Sequence, residues 1–184
     1  MARARATDII LAQHRDIATV LKALEAIIEG PLEERRSADM AQLHDICHYI
    51  RVFPDKLHHP DEDRYVFGPL RTAAPEHAHL VDDIESEHGR CEALTSRLYG
   101  LIQAFEKGDA SADALRDAVR QYLAFQFDHM RKEERDVLPL VDELLDPDQQ
   151  AAAAGAFSQH VDPLFSANLR AGFDALRRRI ESRT

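Results

Sequence analysis

The amino-acid sequence predicts an all-α protein: an antiparallel up-down-up-down four-helix bundle with a C-terminal helical extension. Apolar residues recur at steps of three and four along four long segments, the spacing of helices with one buried face. Short turn-forming sequences separate these segments and make consecutive helices antiparallel neighbours. The 184 residues include only seven glycines, and strand-like runs are few. We assign residues 1–146 to the bundle and 147–184 to the extension.

The first predicted helix begins near Thr7, which can cap its N-terminus, and ends at Gly30. Its apolar stripe contains a histidine, because His14 falls between Ile10 and Ile17 at helical spacing. We therefore expect this imidazole to face the core.

The second predicted helix begins at Ser37 and reaches about residue 72. Pro54 and Pro60 should bend or briefly interrupt it, because proline removes a backbone hydrogen bond and clashes one turn back. His58 and Glu62 lie four residues apart in this stretch and share one helix face. A histidine and a carboxylate in this arrangement can bind the same metal centre.

The third predicted helix begins at Pro75, a favourable first helical position, and ends at Gly108. Its apolar stripe again contains a histidine, since His88 lies between Ile84 and Cys91. This histidine should also face the core.

The fourth predicted helix runs from Ser111 to Leu145, and its inward positions include His129 and Glu133. They repeat the four-residue spacing of the second helix. A buried carboxylate needs a partner, because an isolated charge is costly in an apolar core.

The extension is predicted to be helical, with a strong helix-forming run at 151–154, a break at Asp162-Pro163 and a second amphipathic stretch from Phe165 to Ile180. We expect it to cover one end of the bundle or to form a homodimer contact.

The four inward histidines fall near one layer of the predicted bundle. Residues equally far from a loop midpoint sit at about the same height in antiparallel helices. His88 lies 21 residues before the midpoint near residue 109, and His129 lies 20 after it. His58 and His88 each lie 15 residues from the midpoint near residue 73. His14 fits least well, and the bend at Pro54 should reduce its mismatch with His58.

This layer supplies six candidate metal ligands: His14, His58, Glu62, His88, His129 and Glu133. Imidazole and carboxylate together suit Fe, Zn, Mn or Cu. Six ligands exceed the four of a tetrahedral zinc site, and they fit two metal ions bridged by carboxylates.

The order and spacing of these residues across 7–146, together with Phe53-Pro54-Asp55 before the double histidine, resemble the hemerythrin-like HHE cation-binding family. The resemblance implies a non-haem di-iron centre with two Fe ions. The four histidines would be terminal ligands, and Glu62 and Glu133 would be bridging carboxylates. The oxygen carriers of this family use five histidines, whereas one turn after His88 this chain has Glu92.

Several other residues are weaker ligand candidates. A further ligand could come from His59, Glu92 or His160, and Glu134 competes with Glu133; we expect these side chains to support the ligands or to be exposed. His59 should point about 100° away from His58 on a regular helix. His44 and His48 are expected on the surface.

These residues are compatible with three functions. A di-iron protein could bind or sense O₂, peroxide or NO, or handle iron. Alternatively, the metal, Zn among the candidates, only stabilises the core of a structural bundle. A third alternative is a regulatory bundle whose extension moves when the metal changes oxidation state. No substrate pocket is evident in the sequence, which leaves open whether the protein is an enzyme.

Composition argues against two kinds of partner. The formal net charge of −10 disfavours nucleic acid and anionic membranes, because both attract a basic face. No apolar run approaches the roughly 20 residues that span a bilayer. The two cysteines, Cys47 and Cys91, form no CxxC motif, which fits a reducing cytoplasm.

Overall fold

The structure is all-helical, as predicted. It is a computed structural model that describes residues 5–34, 36–165 and 173–181. Within these ranges there is no β-strand. No helix in the same ranges is long and apolar enough to cross a membrane.

Nine α-helices are described, joined by shorter helical turns. The helices are α1 (Ala6–Ile28), α2 (Ser37–Val52), α3 (His59–Glu62), α4 (Gly68–Ala73), α5 (Ala78–Lys107), α6 (Ala112–Lys132), α7 (Leu138–Leu144), α8 (Pro147–Gln159) and α9 (Asp174–Glu181). Wider π-helical turns occupy Pro54–His58, Asp63–Phe67 and Glu133–Val137. Tighter 3₁₀ turns occupy Leu32–Glu34 and Pro75–His77.

The predicted irregularity of the second helix is confirmed. The segment from Ser37 to Ala73 winds through α2, α3, α4 and two π-helical turns. In the first of these turns, Phe53 accepts backbone hydrogen bonds from both Leu57 and His58, at 2.9 and 3.1 Å. The fourth predicted helix also contains a π-helical turn, between α6 and α7, which the sequence analysis did not anticipate.

A proline follows each π-helical turn by two residues. Pro60 follows the turn ending at His58, and Pro69 and Pro139 follow those ending at Phe67 and Val137. Proline has no N–H group, and its ring clashes with the carbonyl one turn earlier. The wider π-helical turn relieves this conflict without ending the helix.

The main helices pack as neighbours around one core. α5 packs against α2 and α6, and α1 packs against α2, α6 and α8. At one end, Arg116 at the start of α6 donates to the carbonyl of Ile28 at the end of α1. At the other, Glu134 beyond α6 contacts His14 near the start of α1. These contacts fit the predicted antiparallel order.

Most of the core belongs to two apolar clusters, and a third, smaller one contains Ala6, Ala153 and Ala154. One surrounds residues such as Leu24, Ile50 and Phe105, and the other surrounds Ile10 and Phe67. Along each segment the inward histidines and glutamates lie where the side chains change from one of these clusters to the other. The polar layer therefore has apolar packing on both sides.

The extension contributes to both clusters. Phe157 of α8 joins one, while Leu176 and Ile180 of α9 join the other. Between these helices, buried Asp162 accepts a 2.6 Å hydrogen bond from the Tyr49 hydroxyl. Part of the predicted amphipathic stretch, residues 166–172, lies outside the described residues. The domain division at residue 146 stays a prediction.

Gly108 offers a test of the turn between α5 and α6, because its φ of 87° is left-handed. We expect Gly108→Ala to lower the free energy of unfolding by about 1 kcal/mol, since a Cβ disfavours this conformation. Gly100→Ala is the matched control: it lies inside α5, and a Cβ there would meet nothing within 4 Å. It should stabilise the helix by about 0.5–1 kcal/mol. Denaturant unfolding of both variants measures the difference, and equal effects would contradict it.

Candidate metal centre

The six candidate ligands meet in one buried layer. None is more than 8% exposed. The Nε2 atoms of His14 and His58 lie 3.2 Å apart, although these residues come from different helices and matched least well in height. The irregular segment around Pro54 brings them level, as the sequence analysis expected.

Glu62 lies between histidines of different helices. Its Oε1 is 3.2 Å from Nε2 of His58 and 3.6 Å from Nε2 of His14. Its Oε2 is 3.6 Å from Nε2 of His88 on α5. The two oxygens of one carboxylate thus face two different groups of imidazoles.

Glu133 repeats this arrangement from the opposite side of the bundle. Its Oε1 is 3.3 Å from Nε2 of both His88 and His129, and its Oε2 is 3.4 Å from Nε2 of His14. Both carboxylates are therefore placed to bridge two positions.

A fifth histidine, His59, also lies in the layer. The sequence analysis expected it to support the ligands or to be exposed. His59 is 5% exposed and its ring stacks on that of His88 with centroids 4.3 Å apart. One of its ring nitrogens lies within 4.8 Å of donor atoms of Glu62 and His88. Successive residues of an α-helix are separated by about 100°, but His59 follows the π-helical turn Pro54–His58, where the α-helical spacing does not hold.

The imidazoles form two unequal groups around the carboxylates. His14 and His58 make up the two-histidine set, whereas His59, His88 and His129 make up the three-histidine set. Glu62 and Glu133 each contact both sets.

Four of the histidines also use their second ring nitrogen. In each case Nδ1 donates to a side-chain oxygen from another helical segment at 2.7–3.1 Å. The pairs are His14 with Glu134, His58 with Gln13, His88 with Asp63 and His129 with Glu87. Such partners fix the tautomer and ring orientation of metal-binding histidines and leave Nε2 free for the metal.

We call the four side chains that accept hydrogen bonds from these Nδ1–H groups the outer acceptors. Sequence reasoning missed three of them. Gln13, Asp63 and Glu87 were not singled out, and Glu134 was considered only as a competing ligand. Each outer acceptor stands directly beside a candidate ligand in the sequence. That adjacency is a usable signal, but the partner lies on a different segment and cannot be read from spacing.

Contacts between histidines and carboxylates shift the pKa values of the groups in the layer. Burial alone would lower the pKa of His14, but hydrogen bonds to Glu134 and Glu62 outweigh it and raise the pKa to about 10. The pKa of His88 is likewise raised to about 10, because Asp63 and Glu133 outweigh its burial. His59 behaves oppositely: burial and the neighbouring His88 hold its pKa well below the usual value.

The remaining candidates lie away from the layer. Glu92 is exposed. His160 contacts Asp61 instead, with Nδ1 2.5 Å from a carboxylate oxygen. His44 pairs with Glu106 at 3.0 Å, and His48 stacks on a phenylalanine ring.

Phenylalanine rings enclose several of the histidines. Phe53 and Phe157 pack against His58, with ring centroids 6.3 and 5.9 Å away. Phe67 stacks on His88 at 5.5 Å. These rings separate the imidazoles from bulk water.

The donor set fits metal binding for a further reason. Oε2 of Glu62, Nε2 of His129 and Oε2 of Glu133 are buried and make no hydrogen bond within the described residues. A buried polar atom without a partner costs about 1–3 kcal/mol. All three belong to the layer, and a cation between the two sets would supply the missing partner.

Comparison with known proteins identifies one family. A family model described as the hemerythrin HHE cation binding domain matches residues 5–141, a range that contains both histidine sets and both carboxylates. Neither the curated proteins nor the solved structures gave a significant match.

The raised pKa values of His14 and His88 predict that metal uptake releases protons. With raised pKa values, both imidazoles should be protonated at neutral pH in the metal-free chain, and each must lose its proton before Nε2 can bind a metal. Uptake at pH 7 should release about two protons per chain from these residues. The affinity should rise as the pH increases toward 10.

Calorimetry of metal binding in buffers with different ionisation enthalpies measures this release. An observed enthalpy that does not depend on the buffer would contradict the prediction.

Proposed function

Because the chain belongs to the hemerythrin HHE cation-binding domain family, we propose that it holds two iron ions in the bundle and binds a small ligand, such as O₂, peroxide or NO, at one of them. The observation that carries this proposal is the pair of unequal histidine sets connected by two carboxylates.

Each iron ion has its own ligands in this proposal. His14 and His58 would hold the first ion, while His59, His88 and His129 would hold the second. Glu62 and Glu133 would serve both ions, since their two oxygens face different histidines. The negative charge of both carboxylates offsets the repulsion between two nearby cations.

The difference between the sets determines where an external ligand binds. The first ion would have four protein residues as ligands, and the second would have five. Non-haem iron with few protein ligands keeps coordination positions open for small molecules. The two-histidine position is therefore the proposed ligand-binding position.

The protein itself orients the imidazoles and limits access of water. Gln13 and Glu134 hold the two-histidine set through Nδ1, at 2.8 and 3.0 Å. The packing of Phe157 against His58 restricts access on that side. When bound, the iron pair supplies the redox and ligand-binding chemistry that these side chains lack.

Iron content and ligand response test this proposal. The chain should bind two iron ions, and its absorption spectrum should show near-ultraviolet and visible bands of a coupled iron pair that change with azide or O₂. His129→Ala should remove most bound metal, because it deletes a donor that is fully buried among the ligands. His44→Ala, which changes a histidine paired with Glu106 outside the layer, should keep both ions.

Other outcomes favour the alternative functions. A colourless protein with one zinc ion would overturn the di-iron assignment and support a structural role. Two iron or manganese ions that never respond to azide, O₂, peroxide or NO would show that the metals only stabilise the core. Full metal content in His129→Ala would refute the ligand assignment.

A further inference from the structure

His59 differs from the other four histidines in what its second nitrogen contacts. His14, His58, His88 and His129 each donate from Nδ1 at 2.7–3.1 Å. Nδ1 of His59 instead faces Oδ1 of Asp55 at 3.9 Å. This distance is too long for a hydrogen bond, so His59 and Asp55 lie close together without being hydrogen-bonded.

The Asp55 carboxylate has no evident structural role where it lies. Its side chain is only 4% exposed, and neither oxygen makes a hydrogen bond within the described part of the chain. The nearby Thr95 hydroxyl donates instead to the carbonyl of Cys91 at 2.9 Å.

A buried carboxylate in this condition destabilises the fold. Leaving a polar group buried without a partner costs about 1–3 kcal/mol, and more for a charged one. Asp55 lies one turn before His59, and its carboxylate is 3.9 Å from Nδ1 of this member of the three-histidine set. A cost of this kind is offset where the group acts on a bound ligand.

We propose that Asp55 is the positioning residue for His59, accepting a hydrogen bond from Nδ1–H when a metal ion occupies the three-histidine position. The contact fixes the tautomer that presents Nε2 to the metal, as the outer acceptors do for the other four rings. This inference rests on the proposed function, because it requires a metal at that position.

The local backbone explains how one segment supplies both groups. Asp55 lies inside the π-helical turn Pro54–His58, and His59 directly follows it. The outer acceptors of the other histidines come from different segments, whereas Asp55 acts on its own segment four residues later. The irregular turn thus provides the fifth imidazole together with its acceptor.

Two substitutions of Asp55 test the proposal by stepwise binding of ferrous iron without oxygen, in competition with a chromophoric chelator. Asp55→Leu should weaken one of the two binding steps by about 10–100-fold, the usual effect of losing such a partner, and leave the other step unchanged. Asp55→Asn should have a smaller effect, because its amide oxygen can still accept from Nδ1–H.

Stability of the metal-free protein separates positioning from a structural role. Removing an unpartnered buried carboxylate should leave thermal stability unchanged or raise it, whereas a structural residue would lower it. Asp61→Asn is the matched control, since Asp61 is also buried in this segment but contacts His160 outside the layer. The control should bind both ions normally.

The outcomes for the two proposals are distinct. Two ions bound by Asp55→Leu with the affinities of the unchanged chain would overturn the role of Asp55 and leave the di-iron proposal intact. If both Asp55 variants are less stable than the unchanged chain in the absence of metal, the positioning role is also overturned, and Asp55 has a structural role instead. Failure of the unchanged chain to bind two ferrous ions would refute the di-iron proposal itself.

Discussion

Burial of charged and polar groups between two apolar clusters is the constraint on which this structure depends. Five imidazoles and two carboxylates lie almost out of contact with water, where an unpaired group is expensive. Each therefore needs partners, and the layer supplies them through mutual contacts and the outer acceptors. Three of its polar atoms, each able to bind a metal, still lack a hydrogen bond within the described residues. A bound cation would provide the missing partner.

The hydrogen bonds to the outer acceptors connect the layer to several helical segments of the bundle. Glu87 precedes His88 on α5 but receives Nδ1 of His129 on α6. Asp63, which follows Glu62, receives Nδ1 of His88. The adjacent residues Glu87 and His88 thus hydrogen-bond to two different helical segments. Rotation of α5 would disturb both contacts, so the layer constrains the rotation of this helix as well as its height.

Regular helical spacing made the bundle and most of the layer predictable from sequence. His14, His88 and His129 interrupt apolar stripes. Nearly equal distances from a loop place His88 level with His129, whereas the count for His14 fitted least well. His59 could not be predicted in this way, because its orientation depends on a π-helical turn that α-helical spacing does not represent. Pro60, two residues after that turn, was the available signal. The outer acceptors were missed because pairing across helices depends on their relative rotation.

The extension contacts the two-histidine set through the ring of Phe157 and through the amide of Gln13. Nε2 of Gln13 lies 3.3 and 3.4 Å from the carbonyl oxygens of Phe157 and His160, at the end of α8. An amide has one donating and one accepting end, so these contacts leave Oε1 to accept from Nδ1 of His58. Nδ1 of His58 donates to this oxygen, and Nε2 is the ring nitrogen left to bind a metal. The end of α8 thereby favours the metal-binding tautomer in the two-histidine set, which connects the extension to the chemistry of the bundle.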